Sequence, residues 1–137
     1  MLSSTDPYEF DSGLLRSWRM LVVEDDADSL SAMVELMTLL KQKAVGVASA
    51  EEAVITLAEE KFDILCTDIN LPEMSGIDLA KQVLTGYPDM AIIIASGYGS
   101  ATGNEIHFDA EVLAKPFGLA DIVRTLVRLA PRLNARP

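Results

Sequence analysis

Short apolar runs alternate along the chain with stretches whose apolar residues recur at helical spacing. Trp18–Glu24 (WRMLVVE) reads as a first strand. Leu30, Met33, Val34, Met37 and Leu40 then follow a period of three to four, which predicts a helix. Ala44–Ala48 (AVGVA) is a second strand, and Ser49 three residues before Glu52 has the capping-box pattern that opens a second helix. Phe62–Thr67 (FDILCT) is a third strand. Gly76 ends a loop, and Ile77–Leu84 forms a third helix. Ala91–Ala95 (AIIIA), bounded by Pro88 and Gly97, is a fourth strand, and Glu111–Ala114 (EVLA) a fifth. Leu119, Ile122, Val123, Leu126 and Ala130 predict a last amphipathic helix, stopped by Pro131.

Strands alternating with helices point to the α/β class: a parallel sheet covered on both faces, so that its strands are continuously apolar. Right-handed crossovers narrow this to a doubly wound, five-stranded sheet. One connection departs from the pattern. A helix belongs between the fourth and fifth strands, but Gly97, Gly99 and Gly103 disfavour it across residues 97–110, so a reduced helix is expected there. Residues 1–17 are polar, with Pro7 and Gly13, and read as a mobile tail whose end Leu14, Leu15 and Trp18 would pin to the domain. The domain itself is assigned to 18–133, with 134–137 as a short tail.

Composition removes several function classes. The net charge of -10, without any cluster of Lys or Arg, argues against nucleic-acid binding and favours protein partners. No apolar stretch approaches the length of about 18 residues that a membrane span needs. The single cysteine, Cys66, lies in an apolar run, where it reads as a small buried hydrophobe and fits a reducing cytoplasm.

Ligands of open α/β sheets sit at the carboxyl ends of the strands. There the first strand brings Glu24, Asp25 and Asp26, the third Asp68, the fourth Ser96, and the fifth Lys115 followed by Pro116. Carboxylates gathered so closely repel unless protonated or bridged by a cation. Hard oxygen ligands with room for water suit Mg2+ (or Mn2+). Read singly, Glu24–Asp26 are solvated loop acids, and Asp26 reads best as a residue at the start of the first helix. Together with Asp68, a hydroxyl and an ammonium, they form a set suited to phosphoryl transfer, which needs positioning and charge cancellation more than covalent help. Asp68 is the nucleophile in this reading, while Lys115 and Ser96 each take a phosphoryl oxygen.

The runs LVVEDD (21–26), TDINLPEMSG (67–76), IIIASG (92–97) and AKPF (114–117) resemble response-regulator receiver domains of two-component systems, over about residues 19–133. The resemblance implies a flavodoxin-like fold with strand order 2-1-3-4-5, and transfer of a phosphoryl group from the phosphohistidine of a histidine kinase or histidine phosphotransfer protein to Asp68. By the same resemblance Asp25 is the main metal carboxylate, Glu24 its neighbour acting through water, and Asn70 a metal ligand through its backbone carbonyl. Ser96 and Lys115 stand at the family's hydroxyl and lysine positions. The Lys115–Pro116 bond corresponds to the family's cis peptide. Pro72 and Gly76 belong to the loop that shapes the acceptor site, with Gly76 free to take positive φ.

Two positions depart from the family pattern. Receivers usually carry Tyr or Phe three residues before the lysine, as a ring that swings inward on phosphorylation; here Val112 stands there. The 19-residue separation of Ser96 and Lys115 is short for the family. The stretch Ala95-Ser96-Gly97-Tyr98 is similar to a receiver sub-group with a Phe-Ala-Thr-Gly-x-Tyr motif and no switch aromatic. Ile94 replaces its Phe and Ser96 its Thr, and the tyrosine follows the glycine directly. Tyr98 is therefore the expected substitute switch. His107, in the loop before the fifth strand, reads as solvated.

The expected function is a stand-alone receiver that signals to an unidentified downstream protein, because only Pro131–Pro137 follows the last helix. The alternatives are a module excised from a hybrid histidine kinase or longer regulator, and a phosphate-independent binding module. An acid-nucleophile phosphatase would need a second carboxylate two residues past Asp68, where Asn70 stands, so a turnover enzyme lacks its general acid. If Tyr98 and its glycine-rich surroundings replace the switch aromatic, backbone amide exchange across 97–110 slows on phosphorylation. Unchanged exchange there, measured by mass spectrometry, would remove Tyr98 from the switch.

Overall fold

Alternate residues of five short strands face two separate helix layers, as side chains of a pleated strand must. The computed structural model describes residues 16–97 and 106–136. Its strands are β1 (Arg19–Val23), β2 (Lys43–Val47), β3 (Ile64–Asp68), β4 (Ala91–Ser96) and β5 (Glu111–Ala114), all parallel in the order β2-β1-β3-β4-β5. The helices are α1 (Ala27–Leu39), α2 (Ala50–Glu59), α3 (Gly76–Gly86) and α4 (Leu119–Asn134). Met20, Val22, Ile64, Cys66, Ile93 and Ala95 pack against α1 and α4, while Leu21, Val23, Leu65, Ile92 and Ile94 pack against α2 and α3. The central strands β3 and β4 are buried throughout, as a doubly covered sheet requires. The edge strands β2 and β5 are partly exposed.

Local chemistry sets the helix starts. Asp26, Ser49 and Ser75 cap α1, α2 and α3, their side chains accepting from the backbone N–H of Ser29, Glu52 and Asp78 at 2.9, 3.1 and 3.1 Å. Ser75 with Asp78 three residues on is a start signal that the apolar pattern alone placed at Ile77. Asp26 is thus the helix-start residue its sequence position indicates. Its carboxyl is held below the usual range, chiefly by the Ser29 backbone N–H.

Three sequence expectations need correction. First, Pro131 does not stop the last helix, which runs on to Asn134. Proline removes one N–H inside a helix. Its acceptor would be the carbonyl of Val127, a residue on the exposed side of α4. Continuing the helix buries Leu133 to 4% exposure in the α1-side core, and the turn is closed by Ala135 N–H donating to the Pro131 carbonyl at 3.2 Å. Second, Arg136, which falls in the expected 134–137 tail, is held to the domain, and residues 16–18 are pinned to it, as expected of the tail's end. Arg136 pairs with Asp63 at 2.6 Å, and the other Asp63 oxygen accepts from Arg19 N–H at 2.8 Å. Gln42, buried, accepts from Trp18 N–H at 2.9 Å and donates to the Arg16 carbonyl at 3.0 Å, while Ser17 donates to the Lys41 carbonyl. Leu14, Leu15 and the remainder of the expected N-terminal tail lie outside the described residues. Third, Gly76 does not take positive φ; its role is described with the site below.

Residues 98–105, where the reduced helix was expected, lie outside the described residues. Ile106, Phe108 and Ala110 pack against the α2–α3 layer as the chain re-enters β5.

Because Leu133 is core rather than tail, Leu133→Ala should lower the unfolding free energy by about 2–3 kcal/mol. Val127→Ala, on the exposed side of the same helix, should change it by no more than about 0.5 kcal/mol. Urea titration of both variants checks this; equal small effects would mean that the helix ends at Pro131 in solution.

Candidate functional site

Parallel register carries the polar residues to one edge of the sheet. Val23 pairs with Thr67, Asp68 with Ala95, and Ser96 with Ala114, so the residues that end β1, β3, β4 and β5 arrive at a common level. Glu24, Asp25 and Asp68 present carboxylate oxygens that lie within 4.8 Å of one another. Glu24 is 2% exposed and Asp68 7%, whereas Asp25 faces solvent. Lys115 reaches across from the end of β5. Its Nζ donates to Glu24 Oε1 at 2.8 Å and pairs with Asp68 Oδ1 at 3.1 Å. The second Glu24 oxygen accepts from Asp26 N–H at 3.2 Å. Burial pulls the Lys115 ammonium down, but hydrogen bonds to Glu24 and Asp68, reinforced by their charges, outweigh it and raise the group above its ordinary value.

Backbone contacts hold these groups in place. Lys115 N–H donates to the Ser96 carbonyl at 2.8 Å, which locks the lysine beside the hydroxyl residue, and the Lys115–Pro116 peptide is cis. Ser96, at the end of β4, is 7% exposed, and its hydroxyl donates to the Gly97 carbonyl at 3.4 Å. Thr67 buries its hydroxyl on the Asp68 carbonyl at 2.9 Å, a contact that no sequence motif announces. Gly76 packs against that same carbonyl: a Cβ there would lie 1.9 Å from the Asp68 carbonyl oxygen. Gly76 is therefore required for close approach and not for positive φ. The left-handed residue of the loop is Glu73, at φ 66. Gly76 N–H donates to the Ile69 carbonyl at 2.7 Å, closing the loop from β3 to α3.

Of the residues singled out in the sequence, Glu24, Asp25, Asp68 and Lys115 meet in one cluster, with Ser96 at its edge. Asn70 is exposed on the loop after β3. Val112 is exposed on β5, away from the core. Tyr98 lies outside the described residues. His107 is exposed, and Cys66 is fully buried beneath Asp68, burial above all pushing its thiol up to about 12. That thiol is a packing group and no nucleophile.

The donor set fits a small divalent cation. Three carboxylates face one ammonium, leaving an excess of negative charge that a hard cation would cancel, and the exposed Asp25 keeps the cluster open to water.

Comparison with known proteins agrees with this geometry. Residues 20–127 match the response regulator receiver domain family. The chain is 33% identical over 114 residues to the response regulator receiver protein CpdR of Brucella abortus, covering 81% of this chain and 95% of that protein. It is 33% identical over 111 residues to the response regulator protein FleR of Pseudomonas aeruginosa, covering 77% of this chain but 24% of that one. In fold it is similar to a CheY-like receiver domain protein of Methanospirillum hungatei, with a TM-score of 0.76 at 24% identity, over 87% of this chain and 98% of the other.

The raised Lys115 group makes stability depend on pH in a defined direction. A lysine whose folded value lies above its unfolded one stabilises the fold fully below the unfolded value, and the contribution is lost as pH rises through the folded value. The urea midpoint should therefore show no Lys115 contribution to its pH dependence near neutrality, and should fall above about pH 10.5 more steeply than in Lys115→Met. Parallel alkaline profiles for the two proteins would mean that the lysine gains nothing from Glu24 and Asp68.

Proposed function

Because this chain belongs to the response regulator receiver family of two-component systems, we propose that Asp68 is its phosphoryl acceptor, with Glu24, Asp25 and Asp68 holding Mg2+ (or Mn2+) beside it. The observation that carries the reading is the bridge from Lys115 to Glu24 and Asp68 next to the exposed Asp25. The Asp68 carboxylate stands there beside a fixed ammonium, in a cluster whose remaining negative charge a divalent cation would cancel.

The chemistry follows from those residues. A carboxylate oxygen of Asp68 forms a bond to the phosphorus of a phosphohistidine while the nitrogen–phosphorus bond breaks, and the departing imidazole takes up a proton. The product is an acyl phosphate on Asp68. Lys115 keeps its proton at neutral pH and passes from the Asp68 carboxylate to a phosphoryl oxygen, so positive charge is in place before negative charge arrives. Ser96 donates its hydroxyl to a second phosphoryl oxygen. Glu24, buried and anchored by Lys115 and by Asp26 N–H, holds the lysine in position. When bound, a divalent cation would supply the neutralising charge that the carboxylates and the phosphoryl group together require; Glu24, Asp25 and Asp68 would hold it, with the Asn70 carbonyl as a further ligand. The set suits acceptance of a phosphoryl group and its later loss to water, and Asn70 stands where an acid-nucleophile phosphatase would carry its general acid.

The donor is a histidine kinase or a histidine phosphotransfer protein, and the receiver of the signal is a protein. Val112 carries no ring to move, so the readout falls to Tyr98 and the segment around it. Among the described residues no helix is long and apolar enough to cross a membrane. The single cysteine fits a reducing compartment such as the cytoplasm.

The test is intact mass after incubation with Mg2+ and acetyl phosphate. The parent should gain one phosphoryl group, Asp68→Asn none, and Asp25→Asn should label more slowly by on the order of tenfold or more. A parent that stays unmodified both here and with phosphorylated histidine kinases would instead be a phosphate-independent binding module. Labelling that persists in Asp68→Asn would place the acceptor elsewhere.

A further inference from the structure

The acceptor reading leaves unexplained a groove on the opposite helix layer from Lys115, between α2 and the loop that joins β3 to α3. It encloses about 480 Å³. Val54 and Ile55 of α2 form one wall, Pro72 and Met74 of the loop the other, and Glu51 and Glu73 stand at its rim. We propose that this groove is a docking site for a protein partner segment that presents an apolar side chain flanked by Lys or Arg.

Three observations carry the assignment. First, α2 buries Ala50, Ala53 and Leu57, and its next two large apolar residues lie off that stripe: Val54 is 37% exposed and Ile55 60%. β-Branched residues are mediocre helix formers. Neither local helix stability nor the core accounts for two of them in sequence at solvent-facing positions, whereas a contact made by another molecule does. Second, the residues lining the groove include two carboxylates and no Lys or Arg. The Glu51 and Glu73 carboxyls lie against each other, and the hydrogen bond and like charge of Glu73 raise Glu51. A cation placed between them would remove the repulsion. Third, Glu73 is held there at φ 66, a conformation that costs a residue with a Cβ free energy. The fold keeps an acid at a position where glycine would be easier. An apolar floor with an acidic rim selects the opposite rim on its partner, and the charge pattern excludes an acidic segment.

The proposal stands without phosphoryl acceptance at Asp68, and its test separates the two. The probe is the tripeptide acetyl-Arg-Leu-Arg-amide, titrated into the isotope-labelled full chain in the presence of Mg2+ and followed by amide chemical shifts. Saturable shifts are expected at Glu51, Val54, Ile55, Glu73 and Met74. Acetyl-Glu-Leu-Glu-amide and acetyl-Arg-Gly-Arg-amide should each bind at least about tenfold more weakly, since one lacks the charge and the other the apolar group. Ile55→Ser and Glu73→Gln, both at exposed positions, should weaken the first peptide by a similar factor while the remaining spectrum reports an intact fold. Equal binding of all three peptides, insensitivity to both substitutions, or shifts concentrated at Glu24, Asp25 and Lys115 would overturn the proposal.

Discussion

Lys115 stands between two carboxylates that the sheet forces together, and the site depends on that arrangement. Parallel strands of equal register deliver Glu24 and Asp68 to one level, both nearly excluded from water. Two such carboxylates side by side repel each other. The ammonium at 2.8 and 3.1 Å offsets that repulsion, at the cost of partly burying a lysine. A buried pair of this kind adds little net stability, since desolvation offsets much of the attraction. Its value is positional: it fixes an ammonium beside the Asp68 carboxylate in advance, so the proposed phosphoryl transfer would need little reorganisation.

The same geometry explains why the site was readable from sequence while parts of its frame were not. The strands are short, central and apolar, and the residue that follows each apolar run is necessarily at the carboxyl edge. Reading those ends in order yields Glu24, Asp25, Asp68, Ser96 and Lys115 without any three-dimensional information. The four motifs then supply the family. Gly76 resisted because two different demands call for glycine. Positive φ is the common one, and a loop glycine invites it. Here the demand is steric, the approach of the α3 start to the Asp68 carbonyl, which involves the loop's path relative to β3 and so is nonlocal. Glu73, which does take the left-handed conformation, has no composition signal at all.

Pro131 shows the converse, a local rule overruled by packing. Proline in a helix interior costs about 3 kcal/mol where the lost hydrogen bond and the ring clash are both fully felt. In the last turn of α4 the affected carbonyl belongs to a residue on the wet side, and Leu133 recovers apolar burial worth about 1.5–3 kcal/mol. Those terms balance closely enough for the Arg136–Asp63 pair and the Ala135 hydrogen bond to favour continuation. Asp63 itself was invisible as an anchor, because its two partners, Arg19 and Arg136, are 44 and 73 residues away in the chain.

The proposed acceptor and the proposed groove share a structural part, the loop from Asp68 to Gly76. One end is pinned by the Thr67 hydroxyl on the Asp68 carbonyl and by Gly76 packed on that carbonyl, and the other presents Pro72, Glu73 and Met74 to α2. A loop held so closely at its root has little freedom to absorb a change at Asp68 locally. Gly76 leaves no room for a Cβ between α3 and the Asp68 carbonyl, so the root of the loop and the groove wall are joined through a close contact. Changing a partner's affinity tenfold takes only about 1.4 kcal/mol, comparable to one hydrogen bond made or lost. A wall built from three residues, one of them an acid in a costly backbone conformation, has that much to gain or lose. In a chain with Val112 where a moving ring is usual, this loop is a connection, besides the segment around Tyr98, between the proposed acceptor and the proposed groove.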